Sequence, residues 1–249
     1  LQKAIASLWM LVHFGGVGSR SRRTAGSLSA PSPREYNGLQ FQLQSNALPK
    51  VADELNDGLK MVQGLIGLDL QPIKKVPFDM ISLNFDVFKS WVLGSWKTSE
   101  EAVTAIGSSF RDFRTYSSPD HEEVYKWLNG DSIKTVKRSA FGLPIPYRYS
   151  SGNNPHGVIQ GRKDMIERRA SPLWLKISKT SNGQFVVIAT LFKSSFLPKG
   201  EQLAVTGLYN ETGKTPPKTD PPKDYSIVED WVAIARKETK RFNQVVEVV

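Results

Sequence analysis

The segment Phe14–Leu28, which reads F-G-G-V-G-S-R-S-R-R-T-A-G-S-L, constrains what this chain can form more than any other. It concentrates glycine and arginine, at Gly15, Gly16, Gly18, Arg20, Arg22 and Arg23. Glycine reaches backbone conformations that other residues avoid, and its missing Cβ lets another molecule's backbone come close. Arginine presents a planar guanidinium that suits two-pronged contact with phosphate. The segment therefore predicts a loop against which an anionic polymer lies.

The charge of the whole chain agrees with an anionic partner. Lysine and arginine outnumber the acidic residues 33 to 24 in 249 residues, which gives a net charge of +9. The chain has no cysteine, which excludes disulfides and thiolate metal sites and fits a reducing compartment. Its longest apolar run, Ala4–Phe14, is too short to cross a bilayer. We therefore expect a cytoplasmic protein with no membrane contact.

Hydrophobic periodicity predicts a mixture of helices and strands. Apolar residues at three- and four-residue spacing predict helices at Leu1–His13, Val51–Leu65 and Ser226–Phe242. Start and stop signals, acidic residues in a first turn and an Asn-Gly end, predict helices at Ser99–Arg114 and Pro119–Leu128. Short strands are predicted at Gly26–Ala30, Leu39–Leu43, Met80–Val87, Leu173–Lys179 and Gln184–Phe192. The turn Ser181-Asn182-Gly183 joins the last two strands into a hairpin.

Three stretches predict irregular structure. The proline-punctuated run Ala140–Tyr149 is unsuited to a central strand, because proline cannot donate to the ladder. The segment Asn210–Asp224 predicts a mobile loop or linker. Residues 67–77, with two prolines and a lysine pair, predict a link between two structural units, of which the second begins near Phe78.

Enzyme chemistry has little support in the sequence. Ser21 stands where a dinucleotide fingerprint requires its third glycine, and no P-loop lysine follows. His13, His121 and His156 are too scattered for a metal site. We therefore expect no catalytic residue, no metal and no cofactor. A role as general acid or base stays open for His13, because it adjoins the loop.

Binding chemistry is better supported. On an extended backbone Arg20 and Arg22 would point to one side and Arg23 to the other. A second basic cluster contains Arg162, Lys163, Arg168 and Arg169. Aromatic residues near basic ones can stack unpaired bases. We expect Phe14, Phe141 and Trp174 to be core residues, and both roles stay open for Tyr147 and Tyr149.

The stretch from Leu8 to Leu28 resembles the glycine-rich loop of the RAMP superfamily of CRISPR proteins. It is most similar to the head-end subunit of the type III-B (Cmr) effector complex, in which L-W-x-x-x-x-F-G-G-x-G-x-R-x-R-R-G-x-G-S-L is typical. Three later motifs are similar to that subunit's second domain: F-G-L-P-I-P at Phe141–Pro146, R-R-A-S-P-L at Arg168–Leu173 and F-L-P at Phe196–Pro198. Thr24 departs from the pattern, since it replaces a glycine. If that position needs a positive φ, threonine is strained there.

The resemblance implies an α+β fold of tandem ferredoxin-like (RRM-like) domains, the first only partly present because we expect an upstream part to be missing. Residues 1–66 would be the end of the first domain, 67–77 a linker and 78–249 the second domain with insertions. It also implies a non-catalytic subunit that caps the guide-RNA 3′ end region and helps capture target RNA, beside other subunits of the complex. The alternative from the same superfamily is an endoribonuclease that processes guide RNA, with His13 as its general acid or base. The predicted RNA-binding residues are Gly15, Gly16, Gly18, Ser19, Arg20, Ser21, Arg22, Arg23, Arg162, Lys163, Arg168 and Arg169.

Overall fold

The computed structural model describes residues 1–18, 20–30, 34–67, 79–81, 86–117, 120–150, 152, 154–161 and 168–249. The described chain divides into two compact units. Unit 1 contains Leu1–Phe110, Leu173–Ser194 and Asp230–Val249, and unit 2 contains Arg111–Pro172 and Ser195–Glu229. Unit 1 thus combines residues from both predicted domains. The domain boundaries at 66 and 78 stay a prediction, and most of the predicted linker lies outside the described residues.

The helices of the described chain are α1 (Gln2–Phe14), α2 (Leu48–Ile66), α3 (Ser99–Asp112), α4 (His121–Leu128), α5 (Ser226–Lys237) and α6 (Thr239–Phe242). The strands are β1 (Glu35–Tyr36), β2 (Leu39–Gln40), β3 (Phe88–Trp96), β4 (Ile145–Arg148), β5 (His156–Gly161), β6 (Leu173–Lys179), β7 (Phe185–Phe192), β8 (Leu203–Tyr209) and β9 (Val245–Glu247). A π-helical turn follows α3 at Phe113–Ser117, and a 3₁₀ turn spans Lys137–Phe141.

Unit 1 is built on an antiparallel sheet with the strand order β6-β7-β3-β9. Along the chain its elements follow as β3, α3, β6, β7, α5 and β9. This β-α-β-β-α-β order, with the first strand beside the third and the fourth, is the ferredoxin-like arrangement. The predicted α+β class is therefore confirmed. The residues of unit 2 are inserted in sequence after α3 and again after β7.

One face of this sheet is covered by α1 and α2. Their apolar stripes include Trp9 and Leu55, which are buried in one core with Phe88 and Val92 of β3 and Ile188 of β7. Because strand residues alternate between faces, Trp91 and Leu93 of β3 point to the opposite face, where they are buried as well. A strand buried on both faces has no polar alternation.

Unit 2 contains the antiparallel sheet β4-β5-β8 and helix α4. The proline-punctuated β4 is an edge strand, as its sequence requires. The loop Asn210–Asp224, predicted to be mobile, is instead fixed within this unit by specific bonds. Trp127 Nε1 donates to the Pro217 carbonyl at 2.7 Å, and Thr219 Oγ1 donates to the Ile133 carbonyl at 2.8 Å.

The middle of the strand expected at Met80–Val87, residues 82–85, lies outside the described residues, and strand β3 begins just after this segment, at Phe88. Two other predictions of secondary structure were wrong. Gly26–Ala30 forms no strand, since positive φ values at Thr24 and Gly26 turn the chain there. The helix expected over Ser226–Phe242 is interrupted at Glu238, which leaves the helical region (φ −82°, ψ 56°). The other predicted helices are confirmed within two or three residues of their ends, and so is the hairpin β6–β7.

Candidate nucleic-acid interface

The glycine-arginine loop begins where α1 ends at Phe14. Gly15 donates its N–H to the Leu11 carbonyl at 3.1 Å, and a Cβ there would lie only 2.8 Å from Leu11 Cδ1. The loop is closed by the Val17 N–H, which donates to the Gly26 carbonyl at 2.9 Å. Gly26 has a φ of +81°, and a Cβ on it would collide with the Val17 carbonyl oxygen. Glycine is thus required at position 26 by both conformation and space.

The returning half of the loop lies along β6, an edge strand of the unit 1 sheet. The Thr24 N–H donates to the Leu175 carbonyl at 2.8 Å, and the Leu175 N–H donates to the Arg22 carbonyl at 3.2 Å. Two residues further along β6, the Ile177 N–H donates to Ser27 Oγ at 3.1 Å. These bonds satisfy an otherwise open strand edge and hold the loop in one register.

Thr24 adopts the left-handed conformation, with a φ of +68°. This is the position where the related motif has glycine, so the sequence correctly indicated a strained threonine. Its hydroxyl donates to the Arg23 carbonyl at 2.6 Å, which offsets part of the cost. For an L-residue other than glycine, that cost is about 1–2 kcal/mol.

The three arginines of the loop do not share one role. Arg22 is partly buried, and its Nη1 donates to Asp79 Oδ2 at 2.9 Å. Its guanidinium also lies over the Trp174 ring, 4.5 Å from the centroid. Asp79 accepts a second bond from Ser194 Oγ at 2.7 Å. Arg22 is therefore part of the interior contacts that seat the loop.

Arg20 and Arg23 are exposed. The Arg23 N–H donates to the Arg20 carbonyl at 2.9 Å, so this stretch is a tight turn and not an extended chain. The predicted alternation, with Arg20 and Arg22 on one side, was therefore wrong because it assumed an extended backbone. Ser21 is partly buried beside Gly16, Gly18 is exposed with a φ of +102°, and Ser19 lies outside the described residues.

Two basic groups are buried in the same unit as the loop. Lys176 donates from Nζ to the Leu28 carbonyl at 2.6 Å, and burial lowers the pKa of Lys176 to about 8. His13 is buried with its Nε2 2.9 Å from the Gln40 carbonyl oxygen. Burial above all lowers the pKa of His13 to about 4, and the charge of Lys176 contributes. A neutral, buried imidazole whose Nε2 donates to a carbonyl is poorly placed to exchange protons with RNA.

The second basic cluster is only partly described. Arg162 and Lys163 lie outside the described residues, and Arg168 is exposed. Arg169 stabilises unit 2: its Nε donates to the Phe196 carbonyl at 3.0 Å, and its backbone pairs with Leu143. The loop belongs to unit 1, whereas both described arginines of the cluster belong to unit 2.

Two of the three aromatic residues expected in the core are buried there, and the third is not. Phe14 and Phe141 are core residues, as expected. Trp174 is only half-buried, and one of its faces is covered by Arg22. Tyr147 and Tyr149, whose role was open, are buried side by side in unit 2, and burial raises the pKa of both hydroxyls. Neither tyrosine is available to stack on an incoming base.

Sequence reasoning did not find Asp79, Trp174 or Lys176 as partners of the loop. Asp79 is 57 residues from Arg22, and Lys176 is 148 residues from Leu28. A local pattern carries no information on such pairs. Trp174 and Lys176 are two residues apart on strand β6, so strand periodicity alone indicates that they share one face of the sheet.

Comparison with known proteins identifies the relatives of this chain. Over 201 residues it is 27% identical to the CRISPR system Cmr subunit Cmr1-1 of Pyrococcus furiosus. The chain is related to a CRISPR Cmr subunit. This match confirms the resemblance to Cmr subunits that the loop and the later motifs indicated. It covers 80% of this chain and 51% of Cmr1-1, so the chain spans about half the length of the curated relative it matches.

Two further comparisons found nothing. No protein-family model matches the chain, and no solved structure matches it. The relation to the Cmr subunits therefore depends on the sequence match and on motifs such as the glycine-arginine loop.

Among the helices that the structure describes, none combines the length and the apolar character needed to cross a membrane.

Proposed function

We propose that this chain is a non-catalytic RNA-binding subunit of a CRISPR Cmr-type (type III-B) effector complex. The observation that carries the proposal is the difference in environment among the three arginines of the loop. Arg22 is tied to Asp79 and Trp174, whereas Arg20 and Arg23 are exposed on a backbone fixed to strand β6. Two guanidinium groups on a rigid turn suit successive phosphates of an RNA strand.

The ligands would be guide RNA and target RNA, with the chain near the 3′ end region of the guide. The partners would be the other subunits of the complex, in the cytoplasm. The relation to Cmr1-1 supports this assignment, and the net charge of +9 supports an anionic ligand. Gly18 supports it too, because it is exposed and a Cβ on it would meet no atom within 4 Å, so its backbone can be approached closely.

The alternative function, a nuclease, depends on His13 as its acid or base. His13 is 2% exposed and bonded to the Gln40 carbonyl, and its pKa is lowered to about 4 by burial. We therefore propose binding without cleavage. Incubation with repeat RNA, followed by mapping of the RNA ends, tests this point. Cleavage that His13→Ala abolishes would contradict it.

RNA binding is tested by filter binding of a single-stranded RNA across a salt series. Each phosphate neutralised on a single strand contributes about 0.7 to the slope of log K against log salt. We expect Arg20→Ala and Arg23→Ala each to weaken binding and to flatten the slope by somewhat under one unit. Arg20→Lys should keep the slope, because it keeps the charge. Arg236→Ala, which removes an exposed arginine paired with Glu247, is the matched control.

Unchanged slopes in both loop variants would overturn the proposed RNA contact. Membership of the complex is a separate question with a separate test. Purification of the tagged chain from its native cell should recover guide RNA together with other Cmr subunits. Recovery of the chain alone would contradict the proposed assembly, even if the loop binds RNA.

A further inference from the structure

A row of three side chains crosses the sheet of unit 2, one from each strand. Arg148, the last residue of β4, lies opposite His156, the first residue of β5. His156 in turn lies opposite Tyr209, the last residue of β8. Because adjacent strands are about 4.8 Å apart and opposed residues share a face, these side chains are neighbours on one surface.

The two rings of this row are stacked. The centroids of His156 and Tyr209 lie 4.9 Å apart, and their planes are 20° from parallel. His156 Nδ1 lies 3.3 Å from the carbonyl oxygen of Asn154, which restrains the imidazole. The pair is therefore an ordered aromatic platform at the end of the sheet.

The row is on the outer face of the sheet. Burial alternates along β4, so that Ile145 and Tyr147 are buried while Arg148 is exposed. Tyr209 is 50% exposed, one of the most exposed large hydrophobic side chains in the described chain. Gly157, on the opposite face of the sheet, lies against Leu128 of α4. The platform thus faces solvent and not the core of unit 2.

The three strands contribute no opposing charge to the row. The sequences of β4, β5 and β8 contain no aspartate or glutamate. The neighbours on the same face, Val158, Gln160 and Thr206, are small or uncharged and half-buried. A guanidinium beside an exposed ring pair is the combination with which proteins hold single-stranded nucleic acid, the ring stacking on a base and the cation meeting the backbone.

We propose that this row is an RNA contact in unit 2, in which an unpaired base stacks on Tyr209 and a phosphate meets Arg148. The proposal takes its ligand class from the proposed function, but it uses none of the loop residues. An acidic protein segment would engage Arg148 equally well. An acidic partner would not account for the exposed stacked rings, because a carboxylate is not stabilised by an aromatic face.

Cross-linking tests the contact in the unaltered full chain. An oligouridine with one 5-iodouridine is irradiated with the chain, and the tryptic peptides are analysed by mass spectrometry. We expect the cross-link in the peptide Gly200–Lys214, at Tyr209. Its absence there, with cross-links only elsewhere, would overturn the proposal without relying on any variant.

Variants then separate stacking from charge. Tyr209→Leu should weaken binding of the oligouridine by about 5- to 100-fold and leave the salt slope unchanged, since stacking neutralises no phosphate. Tyr209→Phe should bind like the unaltered chain. Arg148→Ala should reduce the slope by about 0.7. Arg111→Ala removes an exposed arginine from α3 and is the matched control. Circular dichroism establishes that each variant is folded.

The outcomes distinguish this proposal from that of the loop. If Tyr209→Leu weakens binding while Arg20→Ala and Arg23→Ala do not, the result supports the RNA contact at the row and contradicts the RNA contact at the loop. If only the loop variants weaken binding and Tyr209→Leu is neutral, the row is overturned and the loop contact stands. Binding of oligoglutamate that Arg148→Ala abolishes, with no effect of Tyr209→Leu on RNA, would indicate an acidic protein partner and also overturn the proposal.

Discussion

The guanidinium of Arg22 lies over the ring of Trp174, with 4.5 Å between its Cζ and the ring centroid. The pair joins the turn of the loop to edge strand β6, and Asp79 completes it from a third segment of the chain. The most arginine-rich stretch of the protein is thus held in place by one of its own arginines. The other two arginines of the loop, Arg20 and Arg23, remain exposed.

Arg22 should therefore contribute more to the free energy of unfolding than the exposed Arg20 and Arg23 do. We expect Arg22→Ala to lower the free energy of unfolding by about 1–3 kcal/mol, because it removes a charge-assisted bond and a cation–π contact. Arg23→Ala, at an exposed side chain, should change it by less than about 0.5 kcal/mol. Urea denaturation followed by tryptophan fluorescence measures both. Equal effects of the two variants would contradict the assigned roles.

Thr24 offers a test of backbone strain. We expect Thr24→Gly to raise the free energy of unfolding by up to about 1 kcal/mol, since glycine adopts a positive φ without penalty but loses more entropy on folding. Thr24→Val keeps the strain and loses the hydroxyl bond to the Arg23 carbonyl, so it should lower stability by about 1 kcal/mol. Chemical denaturation should thus rank glycine above threonine above valine. A valine variant as stable as the glycine variant would argue against strain at this position.

Gly26 closes the loop and should tolerate no side chain. A Cβ there collides with the Val17 carbonyl oxygen in addition to the cost of a positive φ, so we expect Gly26→Ala to lose on the order of 2–4 kcal/mol. Gly18→Ala is the matched control, because Gly18 also has a positive φ but a Cβ on it would meet no atom within 4 Å. Thermal unfolding should show a clearly smaller loss for Gly18→Ala. RNA binding by Gly26→Ala should fall as well, since the turn that presents Arg20 and Arg23 would be displaced.

His13 gives stability a defined pH dependence. Burial lowers its pKa from 6.5 to about 4, so between these values the unfolded chain binds a proton that the folded chain does not. The stabilisation is complete above pH 6.5 and is lost progressively as the pH falls to about 4. The full effect is about 3 kcal/mol. His13→Gln should remove it, so that the difference in unfolding free energy between the two proteins shrinks as the pH falls. A constant difference over this range would contradict the buried neutral imidazole.

Local signals in the sequence were sufficient for much of unit 1. Apolar spacing placed α1, and the glycines after Phe14 correctly indicated its end, since Gly15 is the C-cap in an extended conformation. The turn Ser181-Asn182-Gly183 placed the hairpin β6–β7, and Gly183 indeed has a φ of +82°. A glycine replaced by threonine in a motif indicated that Thr24 is strained if its φ is positive, because residue type sets which φ values are accessible, and its φ is +68°.

What the tertiary structure alone decided concerns pairs that are distant in the chain. Strand β3 is buried on both faces, so its sequence has no alternation to reveal it. The three arginines of Phe14–Leu28 look equivalent in sequence, yet Asp79 and Trp174 take one of them into the interior. The row Arg148, His156 and Tyr209 exists only because three strands align in register. The sequence by itself determined where the glycines and arginines of the loop stand. The pairing of remote segments decided which side chains are exposed, because burial and side-chain direction are set by neighbours that no local pattern contains.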